Sequence, residues 1–319
     1  MSFGLTRIEF EEGPATREAF GEALAEAGSD QRVVVVDGDV NNSTYTNHFK
    51  DKYPERFFNA GIAESNMIGI ASGLSATGKV PVVSSFSTFL MSNAFDQIRM
   101  SVAFPNQNVK LVGTHAGISI GEDGPSQMAI EDVALACALP GFTVVVPADG
   151  PSTKLATKAL IERPGPAFLR CGRPKVPLLY TDPSKFHIGK ATTMREGDDV
   201  TIIANGIMVA MALDAAEGLK EEGIEARVLD MHTVKPVDAA AIEKAANETR
   251  GIVVAEEHLA HGGLGSVVAL VAAERSPTRM AFVDVGDTYA TSGTPDQLLE
   301  QYGLTPDAIL DAARRVLKD

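Results

Sequence analysis

Cysteine is nearly absent. Cys137 and Cys171 are the only two in 319 residues, and their separation matches neither a metal-ligand pair nor a C-x-x-C redox pair. That excludes a disulfide framework and leaves the expectation of two buried thiols in a reducing cytoplasm. Histidine is sparse as well: six are scattered along the chain, no H-x-x-x-H occurs, and a zinc site is not expected. No apolar run approaches the ~20 residues that span a bilayer, and the opening "MSFGLTRIEFEEG" has no signal-peptide core. Positive charge is in deficit, 28 Lys and Arg against 42 Asp and Glu for a formal charge of −14. Nonspecific nucleic-acid binding is therefore not expected, and any anionic ligand must be held by local basic residues against the overall field. There is no G-x-S-x-G elbow, and neither cysteine has a neighbouring base, so nucleophilic catalysis lacks its usual parts.

What is present is alternation. At about 150 residues per domain the length suggests two, and with 45% hydrophobic residues the chain can bury ordinary cores. "RVVVV" (32–36), "VPVVSSF" (80–86), "VKLVGTH" (109–115), "TVVVPAD" (143–149) and "AFLR" (167–170) read as strands of a parallel sheet covered on both faces. Helices are expected near 14–28, 62–77, 91–104, 127–139 and 151–163, with "GPATREAF" and "DGPSTKLA" as helix starts. The proline-rich stretch "CGRPKVPLLYTDPSKFHIGK" (171–190) reads as a linker. The pattern then restarts with "VTIIANG", "EARVLDMHTVKP", "GIVVAEE" and "MAFVDVG", between helices near 207–222, 237–249 and 264–274. The expected fold is α/β in two domains, 1–185 and a smaller 186–319.

In an open parallel sheet, ligands bind beyond the carboxyl ends of the strands. Five polar segments fall there: "DGDVNNST" (37–44), "SSFSTF" (84–89), "THAGISIGEDGPSQ" (114–127), "PADG" (147–150) and "LRCGRP" (169–174). "DGDVNNST" lacks the glycine and glutamate spacing of a calcium loop. "HGGLGS" (261–266) can be read as a phosphate cradle at a helix start or as a tight turn. Glu64 is the anomaly: in "NAGIAESNMIGIASGL" (59–74) it is the single charge in a helix that otherwise reads as buried, and such a carboxylate needs a partner.

These stretches together resemble the C-terminal half of transketolase. The run from "ATREAFGEAL" through "VVVVDGDVNNSTYTNHFKDKYPERFFNAGIAESNM", with "AFDQIRM" and "THAGISIGEDGPSQMAIEDVALACALPGFTVVVPADG", is similar to the family's pyrimidine-binding domain. The remainder, with "RVLDMHTVKP" and "EEHLAHGGLG", is similar to its C-terminal domain. The diphosphate-binding domain, with its G-D-G motif, has no counterpart here. The resemblance therefore implies one subunit of a split transketolase, whose partner carries that domain and holds Mg2+ or Ca2+ and the diphosphate of a shared thiamine diphosphate. An α2β2 assembly, a cytoplasmic setting and a role in the pentose phosphate pathway are implied likewise.

Residue by residue, the resemblance makes Glu64 the catalytic glutamate that bonds the aminopyrimidine ring and favours its imino tautomer. Phe86 and Phe89 match the aromatic pair against that ring, and Asp39 an aspartate near the cofactor. Arg17, Ser43, His115 and Arg170 align with contacts to the substrate phosphate, for which guanidinium and imidazolium groups suit. Asp123 aligns with a carboxylate that reads a substrate hydroxyl. Gln127 replaces a histidine of bacterial and yeast relatives, as in the animal-type branch with "GPSQ". His48, His187, His232, His258 and His261 receive no role. The implied reaction moves a two-carbon ketol unit from a ketose phosphate to an aldose phosphate. A 2-oxoacid dehydrogenase β subunit, a deoxyxylulose-phosphate synthase fragment and a non-catalytic partner module are the competing readings.

Overall fold

The computed structural model describes residues 3–318. Its strands are β1 (Glu12–Ala15), β2 (Val33–Asp37), β3 (Phe57–Asn59), β4 (Val80–Phe86), β5 (Lys110–Thr114), β6 (Thr143–Val145) and β7 (Ala167–Arg170). Then follow β8 (Lys175–Pro177), β9 (Thr192–Arg195), β10 (Val200–Ala204), β11 (Ala226–Asp230), β12 (Thr233–Lys235), β13 (Ile252–Ala255) and β14 (Met280–Val283). The first sheet runs β12-β6-β7-β5-β4-β2-β3 and the second β14-β13-β10-β11-β9. Within these two sheets all pairings are parallel except those of the edge strands β12 and β9. The protein is thus α/β with a parallel-sheet first unit and a smaller second one.

Burial explains the continuous valine runs. Val33, Val35, Val80, Val82 and Val112 belong to one core with Phe20, Leu24 and Ala156, from the helices Thr16–Ala27 and Gly150–Glu162. Val36, Val83, Leu111 and Phe168 belong to another, with Met67, Ile68 and Leu90 from Glu64–Ala76 and Ser87–Asn93. Alternate residues of each strand therefore face opposite helical layers, and each buried valine contributes roughly 1.5 kcal/mol or more. The helix Gly150–Glu162 starts on a capping box, Asp149 accepting from Ser152 N at 2.8 Å while Asp149 N donates to Ser152 Oγ at 3.0 Å.

Four differences from the sequence reading stand out. "EARVLDMHTVKP" is two strands: β11 stays in the second sheet, while β12 crosses to pair antiparallel with β6 at the edge of the first. The stretch expected to be only a linker contains β8, which pairs antiparallel with β1. The helix expected near 127–139 begins only at Asp132, because Pro125–Gln127 forms a separate 3-10 turn. Two helices were not anticipated, Pro295–Gln301 and Pro306–Leu317, each introduced by a capping threonine and a first-turn proline. Of the two cysteines, Cys171 is buried and Cys137 only partly so.

Candidate active site

Glu64 is the first residue of its helix and is 6% exposed. Its Oε1 accepts a hydrogen bond from Ser85 Oγ at 3.1 Å, and its other oxygen accepts nothing among the described residues. Ser85 precedes Phe86, where β4 ends. Phe86 stacks on His115, the ring centroids 3.8 Å apart and the planes 24° apart, and lies nearly parallel to Phe89 at 6.3 Å. His115 follows β5, so the pairing of β4 with β5 sets these rings side by side. A carboxylate with one free oxygen, bonded to the residue that precedes a partly exposed aromatic pair, fits a flat nitrogen heterocycle that can hydrogen bond at its rim.

The cations lie on the other side of His115. Arg17 Nη1 stands 3.1 Å from His115 Nε2 and also donates to Ser43 O at 2.7 Å, with its guanidinium 5.2 Å from the centre of the Tyr45 ring. Because a guanidinium only donates, Nε2 must accept, which leaves the proton on Nδ1 to bond Thr114 Oγ1 at 2.8 Å. His115 is therefore a neutral imidazole, and burial, with Arg17 and Arg173 nearby, pushes its pKa down to about 3. The imidazolium expected from the sequence is not formed; the ring supports Arg17 and Phe86 instead. Ser43 reaches Arg17 through its backbone carbonyl. Asp123 is exposed and close enough to favour the charge on Arg17, Gln127 is half-buried beside it in sequence, and Asp39 is exposed at φ 66°, accepting from Asn59 Nδ2 at 2.6 Å.

Arg170 is placed differently from the sequence expectation. It is 6% exposed; its Nε contacts both oxygens of Asp132 at 3.0 and 2.9 Å, and its Nη2 donates to Ala129 O and Glu257 O, each at 2.9 Å. Ser87 Oγ completes the group with a 2.6 Å bond to Asp132. The last aspartate of "GEDGPSQMAIED" thus ties β7 to the turn that carries Phe86 and Phe89. The guanidinium that joins the cation cluster is Arg173, three residues on: its backbone carbonyl accepts from Arg17 Nε at 3.4 Å, its Nη1 donates to Ile120 O at 2.6 Å, and its side chain is 37% exposed. Sequence reasoning missed it, though "RCGRP" offers both arginines.

Other candidates resolve into structure. The N–H groups of Leu264 and Gly265, the would-be cradle of "HGGLGS", are taken by the carboxylate of Glu256 at 2.7 Å each, and a Cβ on Gly263 would collide with it at 2.2 Å. Asp37 accepts from Val40 N, Thr44 Oγ1 and Thr46 Oγ1 and orders its own turn. Among the described residues no His, Cys, Asp and Glu group is arranged to hold a metal, and no helix is long and apolar enough to cross a membrane. His258 accepts from Ala134 N and His232 stacks on Phe186. His48 lies edge-on to Tyr45.

Comparison with known proteins identifies the family. The model of the transketolase pyrimidine-binding domain matches residues 12–177, and that of the transketolase C-terminal domain matches 189–309. The chain belongs to the transketolase family. It is 41% identical to a putative transketolase C-terminal section of Methanocaldococcus jannaschii, over 95% of each chain. It is 40% identical to a 6-deoxy-6-sulfo-D-fructose transketolase subunit of Clostridium sp. strain MSTE9, over 94% of each. A solved split-gene transketolase, described as an inactive beta4 tetramer, superimposes with a TM-score of 0.87 at 45% identity, over 96% of this chain and 98% of that one. Against the animal transketolases that it also matches, the chain spans about half of their length.

Proposed function

We propose that the chain is the C-terminal subunit of a split, thiamine-diphosphate-dependent transketolase that moves a two-carbon ketol unit from a ketose phosphate to an aldose phosphate. The observation that carries this reading is the set of contacts Glu64–Ser85, Phe86–His115 and His115–Arg17, joined through the Ser85–Phe86 peptide, which brings a carboxylate, an aromatic platform and cations to neighbouring strand ends. When bound, thiamine diphosphate supplies a nucleophilic carbon and an electron sink. Glu64 would share a proton with its pyrimidine ring, Phe86 and Phe89 would pack against that ring, and Asp39 would lie at its margin. Arg17, Arg173 and the Ser43 loop, braced by His115, hold the sugar phosphate; Asp123 and Gln127 read its hydroxyls. Residues 1–185 and 186–319 act as the pyrimidine-binding and C-terminal units.

The diphosphate and its Mg2+ or Ca2+ belong to a partner subunit carrying the diphosphate-binding domain, in an α2β2 assembly in the cytoplasm. Two observations support a partner. Relatives of the same extent are themselves sections or subunits of transketolases. An apolar, open surface also runs along the Glu64 helix: Ile62 just before it is 82% exposed, its Gly69 and Gly73 have nothing within 4 Å, and Phe104, which follows the Ser101 carbonyl bonded by Ser72 of that helix, is 83% exposed. The test is a coupled assay with xylulose 5-phosphate and ribose 5-phosphate after mixing the two subunits. Two-carbon transfer only in the mixture supports the reading; acyl transfer from a 2-oxoacid to a lipoyl domain would replace it with the 2-oxoacid dehydrogenase reading.

A further inference from the structure

The loop that carries His115 and leads to Asp123 rests on a carboxylate from the other unit. Glu257, just past β13, is 5% exposed. Its Oε1 accepts the N–H of Ser119 at 2.6 Å, and its backbone carbonyl accepts from Arg170. A Cβ on Gly117 would lie 2.1 Å from its carboxyl carbon and 2.2 and 2.3 Å from the two oxygens, so the loop backbone lies directly against the carboxylate.

This loop needs outside anchors, because its backbone is not relaxed. His115 has φ 58°, Gly117 82° and Gly121 88°. A non-glycine residue in the left-handed region persists where its surroundings over-determine it. Ala116 N donates to Cys171 O and Gly117 N to Ala129 O, both within the first unit; Ser119 N donates across to the second. The adjacent Glu256 makes the contrast: both of its oxygens are used on Leu264 and Gly265 inside its own unit. A buried ionisable side chain is a demanding acceptor for one backbone N–H, since burial raises its pKa against the pull of Arg170.

We propose that Glu257 is a positioning residue that holds the 115–121 loop in the form in which His115 braces Arg17, so that the second unit sets the geometry of the anion cluster in the first. This rests on reading that cluster as the sugar-phosphate site, and the tests separate the two ideas. In the reconstituted complex, Glu257→Ala should raise KM for the ketose phosphate about tenfold while kcat stays within about twofold and KM for the same ketose without its phosphate is unchanged. Glu257→Gln keeps an acceptor oxygen of the same reach and should bring KM back to within about threefold of the native value. Gly117→Ala, whose Cβ meets the carboxylate, should also raise KM, and with Glu257→Ala the combined effect should be smaller than the product of the two. Unchanged KM in Glu257→Ala, or equal losses with both donors, overturns the proposal.

A complex with no ketol transfer at all would refute the transketolase reading alone. Glu257 would then be judged on the isolated chain. Glu257→Ala should speed amide hydrogen exchange at Ser119 about tenfold or more and weaken binding of inorganic phosphate, whereas Glu257→Gln should do neither. Native exchange and native phosphate affinity in Glu257→Ala overturn the proposal.

Discussion

Arg170 and Arg173 sit three residues apart, and their surroundings assign them opposite consequences on substitution. Arg170→Met removes a guanidinium whose side chain is 6% exposed from a carboxylate that is 1% exposed. Asp132 would keep only Ser87 Oγ and its neighbour Val133 N as donors, Ala129 O would keep only Gly117 N, and Glu257 O would lose its bond from Arg170. Breaking one side of a buried pair costs about 3–5 kcal/mol. With a urea m-value of about 3 kcal/mol/M, the unfolding midpoint of the isolated chain should fall by roughly 1–1.7 M. Arg173→Met breaks only a 3.6 Å contact to Glu122, whose side chain is 63% exposed, and a bond to Ile120 O. Its stability change should be near 0.5 kcal/mol or less, while KM for a phosphorylated donor should rise about 10- to 100-fold through loss of a charge-assisted bond. Urea denaturation of both variants, with kinetics of their complexes, decides the matter. A stable Arg170→Met with raised KM and a kinetically silent Arg173→Met would refute the assignment.

Glu64→Gln should lower turnover of the complex by about 10²–10⁴ with little change in donor KM; near-native turnover would remove Glu64 from the chemistry. Burial holds His115 and His232 neutral, with pKa values pushed down to about 3 and about 4. The unfolded chain takes up those protons near pH 6.5, so their contributions are full above that pH and are lost below it, at about 1.4 kcal/mol per unit for each until its folded pKa is reached. Asp230 acts in the opposite sense. Burial raises it to about 8, so its contribution is full at low pH and is lost as pH rises from about 4 to 8. Asp230→Asn should remove that decline and be more stable than the native chain at pH 8 in urea titrations; an unaltered pH dependence would contradict the shift. Phe104→Asp, on a side chain 83% exposed, should change stability by less than about 0.5 kcal/mol but weaken partner binding about tenfold or more; unchanged affinity by calorimetry would move the interface elsewhere.

Most of the sheet was legible because strands buried on both faces need unbroken runs such as "RVVVV", which no other element uses so well. The crossing of β12 was not, since three residues pairing with another unit's edge leave no periodicity of their own. The two C-terminal helices were legible and overlooked: "TPDQ" and "TPDA" both place a capping threonine before proline. At the site, Glu64 stood out as a lone charge in an apolar helix, yet its partner Ser85 lies 21 positions away and nothing local marks it. The motif "GEDGPSQMAIED" drew attention for its family signal, but the structural work of Asp132 became visible only with Arg170 beside it. Choosing between Arg170 and Arg173 required burial, because sequence spacing treats both as cations past the same strand.

The most direct measurement is two-carbon transfer from xylulose 5-phosphate to ribose 5-phosphate by this chain alone, by a subunit carrying the diphosphate-binding domain alone, and by the two mixed with thiamine diphosphate and Mg2+. Transfer should appear only in the mixture and be lost with Glu64→Gln. Transfer by this chain alone, or an inert mixture in which the two subunits bind each other, would contradict a catalytic site divided between them.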